Sequence, residues 1–153
     1  MRKLRAFLLS LAVAGSAVTP ASAQVLGDPE VIRILMQDQG LPVEAAVDAT
    51  GDPVLRSRID LTEFQVFFYD CTPVCAALQF SAGFDLPRPM TLARANQWNR
   101  DRRFGKVYLD ETGDPFVEMD VILSGDGIGR KNFNEALDTW RAVLSEFRDF
   151  IDW

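Results

Sequence analysis

The chain of 153 residues contains no histidine and only two cysteines. The first absence removes His-containing zinc sites and the Ser-His-Asp and Cys-His catalytic sets from consideration. Long apolar runs are also missing: beyond the N-terminal segment, no window approaches the roughly 18 residues that would span a bilayer. Basic charge is in deficit, with 16 Lys and Arg against 22 Asp and Glu and a net charge of −6. Such a surface is poorly matched to nucleic acid or to an anionic lipid face. What is present, 48% apolar and 25% charged residues, is a globular balance. At this length it suits a single domain.

Residues 1–23 have the pattern of a cleavable signal peptide. Arg2, Lys3 and Arg5 form a basic start, and Ala6 to Gly15 is a short apolar run. Ala21-Ser22-Ala23 is the small-x-small pattern that signal peptidase reads, so cleavage is expected between Ala23 and Gln24. No cysteine follows to support a lipid anchor, and no stable membrane insertion is expected after cleavage. The mature part, 24–153, would carry 13 basic and 22 acidic residues, a charge of −9. The expected location is periplasmic or secreted.

In an oxidising compartment Cys71 and Cys75 most simply pair with each other. The three intervening residues suit a hairpin tip, and so small a loop gives modest stabilisation. A redox-active pair and two free thiols are the alternatives. Thiol chemistry more often uses two intervening residues at a helix N-terminus, whereas this pair follows a strand.

Asp28, Pro29 and Glu30 announce a first helix, with Val31, Ile32, Leu35 and Met36 as its apolar side and Gly40 and Pro42 as its end. Strands are expected at about 43–49, 54–60, 63–70 and 76–82. A second helix should start at the N-cap Thr91 and run to about Arg103, with Leu92, Ala95 and Trp98 facing inward. A hairpin over roughly 105–111 and 116–123 follows. The last helix has the strongest periodicity: Phe133, Leu137, Trp140, Leu144, Phe147 and Ile151 advance in steps of four and three, and Asn132 with Glu135 resembles a capping box. The order α-β-β-β-β-α-β-β-α indicates an α+β fold. Its antiparallel sheet of about five to six strands has helices packed on one face.

Thr50-Gly51-Asp52-Pro53 recurs as Thr112-Gly113-Asp114-Pro115, a repeated hairpin turn. Counting alternately from these turns sorts the sheet into two faces. Phe64, Val66, Phe68, Leu78, Phe80, Ala82, Val107, Leu109, Val117, Met119 and Val121 share the apolar side. The other side is polar yet carries Phe67, Tyr69 and Tyr108, with Arg56 and Arg58 on one strand and Glu118 and Asp120 on another. Solvated cross-strand ion pairs explain the charges. Exposed aromatics cost solubility unless something covers them, which points to a binding face.

Arg94, Trp98, Arg100, Arg102, Arg103, Phe104 and Lys106 interleave basic and aromatic residues, a pattern met at nucleic-acid surfaces. The net charge argues against that use. Buried Trp98 and Phe104, paired arginines, and Asn96 and Asn99 serving the following strand fit better. The acids from Asp110 to Asp120 lack the EF-hand alternation, and nothing fixes a carboxylate pair at catalytic separation. Gly125-Asp126-Gly127-Ile128-Gly129 does not open a βαβ unit and is a weak phosphate loop. No catalytic residue, metal site or cofactor is expected.

From about Val31 to its end the chain resembles the YbjN domain family. The resemblance is carried by Gly51-Asp52-Pro53 with Arg56-Ser57-Arg58, Phe68-Tyr69-Asp70-Cys71 and Leu78-Gln79-Phe80. It continues through Asn96-Gln97-Trp98-Asn99, Arg103-Phe104-Gly105-Lys106, Tyr108-Leu109-Asp110, Gly113-Asp114-Pro115 and Glu118-Met119-Asp120. It implies an α+β fold similar to type III secretion chaperones, which bind partners and are commonly dimeric. It also implies a sensory-transduction regulator, with no catalytic residues to carry over. The expectation is therefore an exported, non-enzymatic module that recognises a protein or peptide. Arg56, Arg58, Phe67, Tyr69, Tyr108 and Trp98 are its candidate contacts. An enzyme using carboxylates or the Cys71/Cys75 pair, and a structural homodimer built on the last helix, are the competing readings.

Overall fold

The computed structural model describes residues 24–153, so the expected leader over 1–23 lies outside the described residues. The chain runs through β1 (Gln24–Val25), α1 (Pro29–Asp38), β2 (Val43–Val47), β3 (Pro53–Ile59), β4 (Thr62–Tyr69) and β5 (Ala77–Gly83). It continues through α2 (Leu92–Asp101), β6 (Lys106–Leu109), β7 (Pro115–Ile122), β8 (Ile128–Gly129) and α3 (Arg130–Ile151). The fold is α+β: six antiparallel strands in the order β2-β3-β4-β5-β7-β6, with a separate small ribbon of β1 on β8.

The predicted caps of the first two helices form. The Asp28 carboxylate accepts from the Glu30 N–H at 2.8 Å, and the Thr91 hydroxyl accepts from the Arg94 N–H at 3.2 Å. α3 departs from the expectation. It starts at Arg130 with Gly129 in the N-cap position and no side-chain cap bond, so Asn132 and Glu135 do not form a capping box. The cause is β8, whose pairing with β1 holds the backbone extended up to Gly129. Leu92 and Val31, expected to face inward, are exposed. α2 ends at Asp101 and buries only Ala95 and Trp98.

The expected alternation holds along β4 and β7, whereas β3 buries both Val54 and Leu55, β5 also buries Ser81, and the edge strand β2 does not alternate. Leu55, Phe64, Val66, Phe68, Leu78, Phe80, Val117 and Val121 are buried in one cluster with Phe133, Leu137, Trp140, Leu144 and Phe147 of α3. Trp140 stacks on Phe80 with ring centroids 5.6 Å apart and meets Phe64 edge-on at 5.9 Å. Trp98 meets Phe147 edge-on at 4.9 Å and donates its indole N–H to the Gly105 carbonyl at 2.7 Å.

The two Thr-Gly-Asp-Pro turns close alike. One carboxylate oxygen of Asp48 accepts from the Thr50 N–H and hydroxyl, both at 2.8 Å, and from the Asp52 N–H at 2.9 Å. Asp110 repeats this with Thr112 N–H, Thr112 hydroxyl and Asp114 N–H at 2.9, 2.7 and 2.9 Å. These donors stabilise the ionised form and hold both carboxyls below the usual aspartate range. Asp48 and Asp110 thus extend the repeat to Asp-x-Thr-Gly-Asp-Pro.

Cys71 and Cys75 are joined by a disulfide with Cα atoms 3.7 Å apart. Gly105 is buried at φ +69°, and a Cβ there would lie 2.4 Å from a methyl of Val143. Gly51, at φ +93°, faces open space. Gly105→Ala should therefore destabilise by about 1–3 kcal/mol from overpacking on top of the left-handed backbone cost. Gly51→Ala carries only the backbone cost, about 1–2 kcal/mol. Urea unfolding of the two variants checks the order, with Gly105→Ala the less stable.

Candidate functional site

All the large core side chains of the sheet point toward the helices, so the opposite face is left to the alternate residues. Pairing across the strands arranges these in rows. Glu44, Arg56, Gln65, Ser81, Glu118 and Lys106 stand side by side from β2 to β6. Beside them run Ala46, Val54, Phe67, Gln79 and Asp120. Val54 is 3% exposed although it lies outside the core cluster. It is covered on the open face, where its cross-strand neighbours are Phe67 and Ala46.

This face is a groove of about 800 Å³. Arg56, Arg58, Phe67, Tyr69 and Tyr108, singled out from the sequence, all line it, together with Glu118. Tyr69 and Tyr108 remain 45% and 48% exposed, and Phe67 is half-buried. Phe116 stacks on Tyr108 with centroids 5.3 Å apart. Its ring lies over Gly83, where a Cβ would come within 2.7 Å of it. A strand glycine thus makes room for an aromatic wall.

Trp98 does not belong to the groove. It is 1% exposed, fixed by its bond to Gly105 and its contact with Phe147, so it is a core residue and offers no surface to a partner. Phe104 deviates the other way. Expected inside, it is 51% exposed with the Arg103 guanidinium 5.5 Å from its ring, because α2 stops before it. Asn99 serves the following strand as expected, donating to the Val107 carbonyl at 2.9 Å and accepting from its N–H at 2.8 Å. Asn96 makes no such bond among the described residues.

The charges of the groove are unpaired to an unexpected degree. Among the described residues, none of the ion pairs joins two strands of this face. Arg56 faces Glu44 and Arg58 faces Glu63 across the ladder, yet neither pair closes to ion-pair distance. Glu118 faces Lys106, but the Lys106 ammonium turns away, donating to the Asn99 and Arg102 carbonyls at the end of α2, at 3.0 and 2.9 Å. Glu118 instead accepts from the Ser81 hydroxyl at 3.3 Å. Beside it, the Tyr69 hydroxyl reaches the Gln79 amide oxygen at 3.2 Å, and the Gln79 amide donates to Asp120 at 2.9 Å.

Burial pushes the Glu118 carboxyl above its ordinary value. The Ser81 hydrogen bond opposes the shift and the Asp120 charge adds to it. Burial likewise raises Tyr69 and Tyr108, reinforced by the Glu118 charge. No group of three or more His, Cys, Asp or Glu side chains gathers as a metal-ligand set among the described residues. None of their helices is long and apolar enough to cross a membrane.

The family described as "YbjN: Putative bacterial sensory transduction regulator" matches residues 28–153. The chain belongs to the YbjN family. No curated protein matches it. Membership supports a regulatory module. In this YbjN protein several of the motif residues are structural: Trp98 and Gly105 bond each other, Asn99 holds Val107, and the Gly-Asp-Pro turns close hairpins.

A raised carboxyl makes ionisation a cost to the fold. Stability from this group is complete below the ordinary glutamate pKa and is lost as pH rises through the higher folded value. Glu118→Gln should therefore raise the melting temperature at about pH 7, and the gain should vanish near pH 4. Thermal unfolding followed by circular dichroism at the two pH values is the measurement.

Proposed function

We propose that this YbjN domain is an exported, non-enzymatic module that recognises a protein or peptide partner through the open face of its sheet. The observation that carries the reading is the convergence of Phe67, Tyr69 and Tyr108 with Arg56 and Arg58 in one groove of about 800 Å³. Aromatic and arginine side chains are the residue types that dominate binding energy at protein interfaces. Three helices cover one face of the sheet, and no element of the described chain covers the other. Export is supported by the leader pattern and by the Cys71–Cys75 disulfide, a bond that persists in oxidising compartments.

Affinity capture from periplasmic extract with the mature protein as bait identifies the partner. Purified Phe67→Ala and Tyr69→Ala variants should then bind it at least about tenfold more weakly than the unaltered domain, as loss of an interface anchor does. Leu61→Ser, at an exposed position outside the groove, should bind normally. Undiminished binding by both aromatic variants would remove the groove from the account. The exported protein should begin at Gln24, which N-terminal sequencing checks.

A further inference from the structure

We infer that the occupant of the groove is an extended peptide segment bearing one carboxylate and one cationic side chain about four residues apart, with an apolar residue midway. The carboxylate lies over Arg56 and Arg58, and the cation lies among Tyr69, Tyr108 and Glu118. This assignment rests on the reading of the open face as the partner-binding surface.

The two ends differ in chemistry, and among the described residues neither closes an ion pair. At the β3 end, Arg56 and Arg58 project from one face with no hydrogen bond or ion pair among the described residues. A guanidinium presents paired N–H donors that match a carboxylate. At the β7 end, Glu118 is half-buried and its cross-strand lysine is engaged elsewhere. Tyr69 and Tyr108 stand near this carboxylate, each feeling its charge. A half-buried carboxylate beside tyrosine hydroxyls, with only neutral donors of its own, suits an ammonium or guanidinium group.

Their separation sets the spacing on the ligand. Arg56, Gln65, Ser81 and Glu118 are successive members of one cross-strand row, so three strand steps, about 14 Å, separate the ends. An extended chain covers that distance in about four residues, and residues i, i+2 and i+4 then face the sheet together. The middle residue meets Phe67, which lies in the adjoining row between the two ends. Glu44 and Glu63 flank the two arginines, so that end carries no net positive field. It therefore favours a single carboxylate held by directed hydrogen bonds over a polyanion, which the overall charge of −6 also repels.

The test is a titration of the ¹⁵N-labelled mature protein with the blocked peptide Ser-Arg-Ser-Phe-Ser-Asp-Ser, followed by amide chemical shifts. Saturable shifts confined to β3, β4, β5, β7 and β6 are expected. Replacing the peptide's Asp by Asn, or its Arg by Gln, should weaken binding about tenfold or more. An Arg56→Glu/Arg58→Glu protein should lose the parent peptide and gain affinity for one carrying Lys in place of Asp. Equal binding of all three neutralised and parent peptides would overturn the charge assignment. So would the absence of any shift while Phe67→Ala still weakens the captured partner, an outcome that leaves the groove reading standing. Absence of shifts together with full partner binding by the aromatic variants would remove both.

Discussion

The fold depends on the aromatic stripe of α3 lying on the sheet. Phe133, Leu137, Trp140, Leu144 and Phe147 are all at or near zero exposure, and Trp140 is held between Phe64 and Phe80. Burial of that many large side chains is the main favourable term available to a chain of this size. It fixes which face of every strand points inward. α1 packs on the β2–β3 end and α2 beside β6, on the same side as α3. With all three helices spent on one face, nothing in the described chain covers the other. The groove is thus a direct consequence of where the core lies.

A sheet face left to water ordinarily alternates small polar residues with cross-strand ion pairs. This one does neither. Phe67 and Phe116 are half-buried by their neighbours, while Tyr69 on β4 and Tyr108 on the edge strand β6 stand nearly half exposed. Opposite charges face each other across the ladder without closing. The motif residues that identify the family act mostly elsewhere, in hairpin turns and at the α2–β6 junction. The candidate contact surface nonetheless draws on the same motifs: Arg56, Arg58, Tyr69, Tyr108 and Glu118 belong to them, while Phe67 and Phe116 do not.

Much of this was legible in the sequence because a strand's two-residue period needs only one correct starting point. Thr-Gly-Asp-Pro supplied that point twice, and alternation from it placed Arg56, Arg58, Phe67, Tyr69 and Tyr108 on one face. The periodicity of α3 was equally plain. Features made by pairing between distant segments were not legible. β1 and β8 are two residues each and carry no pattern, so the extended entry to α3 was missed and Asn132 was misread as a cap. The insertion of β7 between β5 and β6 leaves no mark in chain order. Trp98 and Phe104 both read as apolar residues near a helix end. Only the stop at Asp101 decides that one is buried beneath α3 and the other exposed.

Glu118 illustrates why the site's electrostatics needed three dimensions. Its partner in the ladder is Lys106, and a sequence reading would pair them. Yet Lys106 also directly follows the turn that ends α2, whose last carbonyls lack helical partners and carry the negative end of the helix dipole. Two of those carbonyls, Asn99 and Arg102, take the ammonium. The bond closes the junction that Asn99, Trp98 and Gly105 already hold, so the lysine serves the helix end and the carboxylate is left in the groove with only neutral donors. The same contact that completes the scaffold thereby leaves a charge unsatisfied on the open face. The family's structural junction and the chemistry of the groove are linked through this one side chain.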